Sequence, residues 1–423
     1  MKLQNKFLQK FKNIITPPYK NAKILVVSAT VLLLLGTIAI TVALQNNNHS
    51  TAQAATINSV EPEDGTITGN VTIENDANAS GGKYIKFGAI TATPRPIQTV
   101  DVRSFGAVGD GRDDSVAIQS ALDSGADVVT LGSEGVFLAS VSVPSNVTFK
   151  STGAVLKPVS GTIWVVASGG DGAIMEGLRV DATVESNMVG QERAFSISHS
   201  DVRLSNSSVT ANGYRYGVYI ESPNRLANIV IQNNTFDTTS YGIFKQNTAL
   251  DYALVDNNTL RNIRRGDAIE FNMGLDTGTR ITNNDIDGVY ADGFTFAGLG
   301  IGVAGYGDYN RPYQDMTSNY VISGNTVKNV DNEAIHLEVM AHTIIENNVV
   351  EQTVNPQTGV GIVFYGSGYI TARSNTVRNF NIGIWEAYGV INGEYVVRDG
   401  QNTIENNNII ENCTIPIEYP PVF

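Results

Sequence analysis

The feature that most limits what this chain can fold into is a six-residue pattern that returns from about residue 145 onward. It runs apolar residue, spacer, Asn or a small residue twice, spacer, apolar residue. It reads LSNSSV (204–209), IQNNTF (231–236), VDNNTL (255–260), ITNNDI (281–286), ISGNTV (322–327), IENNVV (345–350), ARSNTV (372–377) and IENNNI (404–409), with IMEGLR (174–179) a weaker first copy. The fourth positions are separated by 30, 27, 24, 26, 41, 23, 27 and 32 residues. A repeat of this length, β-branched and broken by Asn and Gly, marks a solenoid. Each unit is too short for a strand–helix pair with its loops. It fits three short strands and three bends, one coil of a parallel β-helix, with like positions of successive coils about 4.8 Å apart. The column Asn234, Asn258, Asn284, Asn325, Asn348, Asn375 and, at its end, Asn407 therefore reads as a ladder of stacked amides that builds scaffold rather than chemistry.

A second column follows the first: YGVYIE (216–221), YGIFKQ (241–246), DAIEFN (267–272), LGIGVA (299–304), EAIHLE (333–338), VGIVFY (360–365) and IGIWEA (382–387). The small residue makes a bend, the next apolar residue points inward, and alternation sends the fourth and sixth positions outward. The outward pairs are Tyr219/Glu221, Phe244/Gln246, Glu270/Asn272, Gly302/Ala304, His336/Glu338, Val363/Tyr365 and Trp385/Ala387. Aromatic residues occupy both ends, and acids with a histidine occupy the middle. Gly302 and Ala304 leave a notch about one sugar wide between Glu270 and His336/Glu338.

A single exposed acid on such a scaffold is ordinary solubilising surface. The centred pair, the notch and the aromatic flanks together point to a saccharide site. Two coils place Glu270 and Glu338 roughly 10 Å apart at the backbone, and side-chain tilt brings their carboxyls toward the roughly 6.5–9.5 Å interval of inverting glycosidases. One acid would protonate the leaving oxygen and the other would activate water, with His336 as an acid–base or hydrogen-bonding partner. Tyr219, Phe244, Asn272, Tyr365 and Trp385 are the expected sugar-binding residues. The inserted stretches GYGDYNRPYQDMTSNY (305–320) and YGVINGEYVVRDG (388–400) should hang beside this face, with Tyr306, Tyr309 and Arg311 closing over the sugar. His336, Glu338 and His342 are too spread by the bend to make a zinc site, so no resident metal is expected. The alternative chemistry is a calcium-dependent lyase, with Asp267, Glu270 and Glu338 on the cation and Arg264 or Arg265 as base. A non-catalytic carbohydrate-binding surface protein is the contrasting class.

Ahead of the repeats, VRSFGAVGDGRDDSVAIQSALDSG (102–125) gives a Gly-rich turn and a short amphipathic helix. Its expected N-cap is Asp113 or Asp114, its stop Gly125 and its apolar stripe Ala117, Ile118, Ala121 and Leu122. A solenoid needs such a lid over its first coil. Residues 1–23 hold six lysines and no acid, and Ile24–Leu44 is an uncharged apolar run of 21 residues. That is long enough to span a bilayer with the basic end in the cytoplasm, and Ala52-Gln53-Ala54 resembles a signal-peptidase site. Residues 1–55 are thus a membrane anchor or a cleaved signal, residues 56–100 a β-rich linker or partial module, and residues 101–423 the β-helix domain. Removing the +6 of residues 1–55 from the chain's −13 leaves −19, which disfavours nucleic acid as a partner. The lone Cys413 excludes an internal disulfide framework.

The stretch VRSFGAVGDGRDDSVAIQSALDSG resembles the N-terminal signature of the pectate lyase/rhamnogalacturonase-like superfamily of right-handed parallel β-helices, and the repeats behind it agree over about residues 100–420. The resemblance implies an all-β right-handed parallel β-helix and a polysaccharide ligand. GDAIEFN carries one Asp where the polygalacturonases of that superfamily carry two. A narrower similarity, in RRGDAIEFN, GLGIGVAGYG and IHLEVMAHTIIENN, is to phage tailspikes of the colanic-acid depolymerase type. It implies Asp267, Glu270, His336 and Glu338 as site residues.

Overall fold

A computed structural model describes residues 71–75, 83–87, 95–183, 190–295, 297–305, 317–387, 389–391, 394–396 and 402–419. The chain divides into two units, Met1–Pro94 and Arg95–Phe423. In the first, Val71–Asn75 pairs antiparallel with Lys83–Phe87. The apolar run 24–44 lies outside the described residues, among which no helix is long and apolar enough to cross a membrane.

The second unit is a parallel β-helix. Its coils lay their strands into three sheets of 12, 12 and 11 strands, each strand hydrogen-bonded to the equivalent strand of the next coil. Inward residues stack in rows: Leu204, Ile231, Val255, Ile281, Ile322 and Ile345 stand in register and are all fully buried. β-Branched side chains suit this arrangement because their stiff rotamers pack on the pleated surface of the neighbouring coil.

The repeated Asn motif proves to be a bend with two distinct jobs. Its third position (Asn206, Asn233, Asn257, Asn283, Gly324, Asn347, Ser374) takes the left-handed conformation, with φ between 53° and 68°. That is why Asn and Gly recur there. The fourth position is the buried ladder. Each Oδ1 accepts from the backbone N–H and the Nδ2 of the preceding rung at 2.9–3.1 Å. Each Nδ2 also donates to a carbonyl of the preceding coil, as Asn284 does to Val255 at 3.0 Å. The last rung is Asn408, not Asn407: its Oδ1 accepts from Asn375 N and Nδ2, both at 3.0 Å. Ala372 pairs with Ile404 but Val377 with Ile410, so IENNNI contains one extra residue and the register moves by one.

The helix Ser115–Leu122 places Ile118, Ala121 and Leu122 in the core, with Ala117 half-buried. Asp114 stands at the N-cap position without capping; its carboxylate instead accepts from Val108 N and Gly109 N. Asp113 accepts from Ser115 N at 2.9 Å and Oγ at 2.6 Å. Gln119 exchanges two hydrogen bonds with the Ser142 backbone, joining the helix to the first coils. In the second insertion, Gly389–Ile391 and Glu394–Val396 form an antiparallel ribbon.

Candidate functional site

The 11-strand sheet carries the outward pairs in two continuous rows. Tyr219, Phe244, Glu270, Gly302, His336, Val363 and Trp385 form one. Gln246, Asn272, Ala304, Glu338, Tyr365 and Ala387 form the other. Glu270 therefore stands two rungs from His336, and Glu338 lies on the Asn272 row. Two rungs combined with this two-residue offset put the Glu270 and Glu338 backbones about 12 Å apart, somewhat more than a straight stack would give. The rung between them is nearly bare: a Cβ added at Gly302 would lie 3.6 Å from Glu270 Cγ and only 3.0 Å from Leu299 Cδ1.

Glu270 is half-buried, and beneath it lies Asp267, 1% exposed. The Oδ1 of Asp267 accepts from Leu299 N at 2.7 Å, whereas Oδ2 receives no hydrogen bond from any described residue. The Asp267 carboxyl is close enough to that of Glu270 for the two to interact electrostatically. Of two neighbouring carboxyls, one gains affinity for a proton from the charge of the other. Burial, and then the charge of Glu270, push Asp267 well above the usual carboxylate range. Burial also pushes Glu270 up, opposed by its interaction with Asp267 and by the charge of Lys245 and reinforced by the charge of Glu338. Burial and acidic neighbours thus shift both carboxyls toward their protonated forms.

His336, 15% exposed on its side chain, sits between two carboxylates: Nδ1 lies 3.3 Å from Glu333 Oε2, and Nε2 lies 3.7 Å from Glu338 Oε2. The Glu333 contact is an ion pair that falls short of a well-aligned hydrogen bond. Burial opposes charge on the ring, but the two glutamates outweigh it and raise His336 to about 10. It is an imidazolium that orients Glu338, the most exposed of the three at 36%. Its ring lies 5.2 Å from that of Tyr365, which meets Trp385 edge-on at 5.3 Å. Tyr365 and Trp385 are half-buried, leaving part of each ring open on this side.

On the opposite flank the expected sugar platforms are closed. Tyr219 and Phe244 are buried, packed with Tyr216 and Tyr241 at centroid distances of 4.6–5.7 Å, and Arg193 covers the Tyr219 ring. Outward-pointing aromatic residues in neighbouring coils bury one another, which strand parity alone does not reveal. This cluster walls the acid pair: burial pushes Tyr216 up to about 12 and raises Tyr241 as well, both with a contribution from Glu270. Asn272 is half-buried beside Ala304. Tyr306, Tyr309 and Arg311 lie outside the described residues.

Two residues were not anticipated. Glu333 lies three positions before His336, and in a straight strand it would face elsewhere; the bend at the strand's start folds it back onto the ring. Lys245 points into the core, fully buried, where it pairs with Asp276 at 2.9 Å. Asp276 also accepts from Tyr320 Oη at 2.6 Å and Leu250 N at 2.8 Å, tying three coils together. Arg264 and Arg265, the bases of the lyase alternative, are otherwise engaged: Arg264 stacks on Tyr290 and pairs with Asp292, and Arg265 stacks on Tyr214 and donates to Gly213 O.

Residues 194–377 match the family model described as "Right handed beta helix region". No curated protein sequence matches the chain. Among solved structures, the chain is similar to the A-module of the mannuronan C-5 epimerase AlgE4 of Azotobacter vinelandii, at 16% identity and TM-score 0.59 over 76% of this chain and 100% of that one. It is similar to an alginate lyase from Paenibacillus sp. str. FPU-7, at 14% identity and TM-score 0.51 over 74% of this chain and 99% of that one. It is also similar to the Dettilon tailspike protein, at 16% identity and TM-score 0.50 over 76% of this chain and 68% of that one. The stacked coils, the family match and these neighbours agree on the fold: the chain carries a right-handed parallel β-helix.

Proposed function

We propose that the protein is an exported polysaccharide-cleaving enzyme that hydrolyses a glycosidic bond across the Gly302/Ala304 rung. The observation that carries this reading is Glu270 above the buried Asp267, set two rungs across the bare Gly302/Ala304 rung from the His336/Glu338 ion pair. Glu270 donates a proton to the leaving oxygen, and its burial above Asp267 favours its protonated form. Glu338 takes a proton from the water that attacks the anomeric carbon from the other face. The bare rung gives the sugar room and leaves space for the water that inversion places between base and sugar. Trp385 and Tyr365 present apolar ring faces to the next sugar. The Lys-rich start and the apolar run 24–44 deliver this domain to the outer side of the membrane.

Digestion of a glycan panel with product mass analysis tests the reading. Saturated oligosaccharides are expected. Products that absorb in the ultraviolet as unsaturated uronates would assign the site to elimination, and binding without products would make it a lectin-like surface.

A further inference from the structure

In each coil the Glu270/His336 sheet is followed by a bend, and there six successive coils place one residue in a single column: Asn228, Tyr252, Gly278, Asn319, His342 and Tyr369. The residues just before them, Ala227, Asp251, Thr277, Ser318, Ala341 and Gly368, pair in an unbroken parallel ladder. All six column residues are left-handed, with φ between 50° and 71°. Asn and Gly fit that conformation, and His is tolerated, but for Tyr it is strained. Two tyrosines and a histidine nevertheless occupy it, and all three are exposed, Tyr252 at 66% and Tyr369 at 36%. No core packing offsets the strain.

The rings are instead arranged as platforms. A Cβ on Gly278 would come within 2.6 Å of Tyr252 Cδ1, so the bare glycine lets the Tyr252 ring lie against the next coil. His342 and Tyr369 stack at 4.7 Å with planes 19° apart. Three rungs, about 14 Å, separate Tyr252 from the His342/Tyr369 stack. Between and beside them stand hydrogen-bonding groups: Asn319 and Ser318, Thr277, and the Arg225–Asp251 ion pair at 2.5 Å. Separate flat rings divided by polar groups suit a ligand that alternates C–H faces with hydroxyls, and they do not form the contiguous apolar patch of a protein interface.

We propose that this edge is a second glycan-binding site, on which a polysaccharide chain lies along the solenoid axis with sugar faces on Tyr252 and on the His342/Tyr369 stack. It rests on the polysaccharide reading above and takes longer chains than the bare rung alone would hold. The test is the triple variant Tyr252→Asn, His342→Asn, Tyr369→Asn, which keeps a residue suited to the left-handed backbone at each position. Its melting midpoint should equal or exceed that of the unmodified protein. Its affinity for an immobilised long glycan should fall tenfold or more, while turnover of a short oligosaccharide stays unchanged. Unaltered retention on the long glycan would overturn the edge site alone, leaving cleavage in place. A lowered midpoint would show the rings to be structural and would also overturn it. If the unmodified protein neither binds nor cleaves any glycan of the panel, the polysaccharide reading fails and the edge site falls with it.

Discussion

Replacing Asn284 by Ala tests whether the amide ladder sets the register that builds the site, because Asn284 lies between the Glu270 strand and the Gly302 strand in the chain. The side chain makes four hydrogen bonds: Nδ2 donates to Val255 O at 3.0 Å and Asn325 Oδ1 at 2.9 Å, and Oδ1 accepts from Asn258 N at 3.0 Å and Asn258 Nδ2 at 2.9 Å. Each such bond contributes about 1 kcal/mol net, and a buried N–H left without an acceptor costs about 1–3 kcal/mol more. Truncation strands the Asn258 backbone N–H inside the bend, since Asn258 and Asn284 are both 1% exposed. The expected loss is therefore about 5 kcal/mol, with the spacing of the Glu270 and Gly302 rungs disturbed as well. Asn283→Gly is the control, because Asn283 is left-handed at φ 56° and exposed, and Gly accepts that backbone. It should change stability by less than about 1 kcal/mol. Guanidinium unfolding followed by far-ultraviolet circular dichroism measures both. An Asn284→Ala loss no larger than that of the control would refute the view that the ladder holds the coils in register.

Three further outcomes are expected. The folded-state value of His336, about 10, lies above its ordinary 6.5, so its stabilising contribution is complete below pH 6.5 and disappears as pH rises toward 10. The melting midpoint should decline over that window, and His336→Gln should flatten the decline; equal slopes in the two proteins would discount the Glu333–His336–Glu338 ion pairs. Trp385→Ala should weaken glycan binding without unfolding the protein, as seen by affinity electrophoresis beside a melting curve, and unchanged affinity for every bound glycan would remove Trp385 from the site. Protease applied to intact cells should reach the β-helix; its survival in intact but not in lysed cells would contradict export.

The scaffold was legible because its signals are periodic. A small residue and an inward apolar residue recur in each coil, and counting from them gives both outward rows and their pairing without knowledge of any contact. The Asn motif likewise announces the bends, and two copies are out by one: the extra residue of IENNNI moves the ladder from Asn407 to Asn408, and Met175 rather than Ile174 pairs with Leu204, so Gly177 takes the left-handed position of the first copy. Burial was less legible, because parity fixes which way a side chain points but not what its neighbours do. Tyr219 and Phe244 point outward as expected, yet they close on Tyr216 and Tyr241. Asp267 was implied by resemblance; its role as partner to Glu270 depends on how tightly the bend packs, which no spacing encodes. Glu333 reaches His336 through the same kind of bend. Lys245 occupies an inward position where alternation calls for an apolar side chain, and that exception was the available signal for the buried Asp276–Tyr320 network.

Turnover by Glu270→Gln and Glu338→Gln, measured beside the unmodified protein on a glycan it cleaves, tests the central claim most directly. Each variant removes one half of the proposed acid–base pair on a rigid sheet, so each should lose on the order of a hundredfold or more in kcat with a nearly unchanged melting midpoint. Near-normal hydrolysis in both variants would contradict the assignment of these two carboxyls as acid and base.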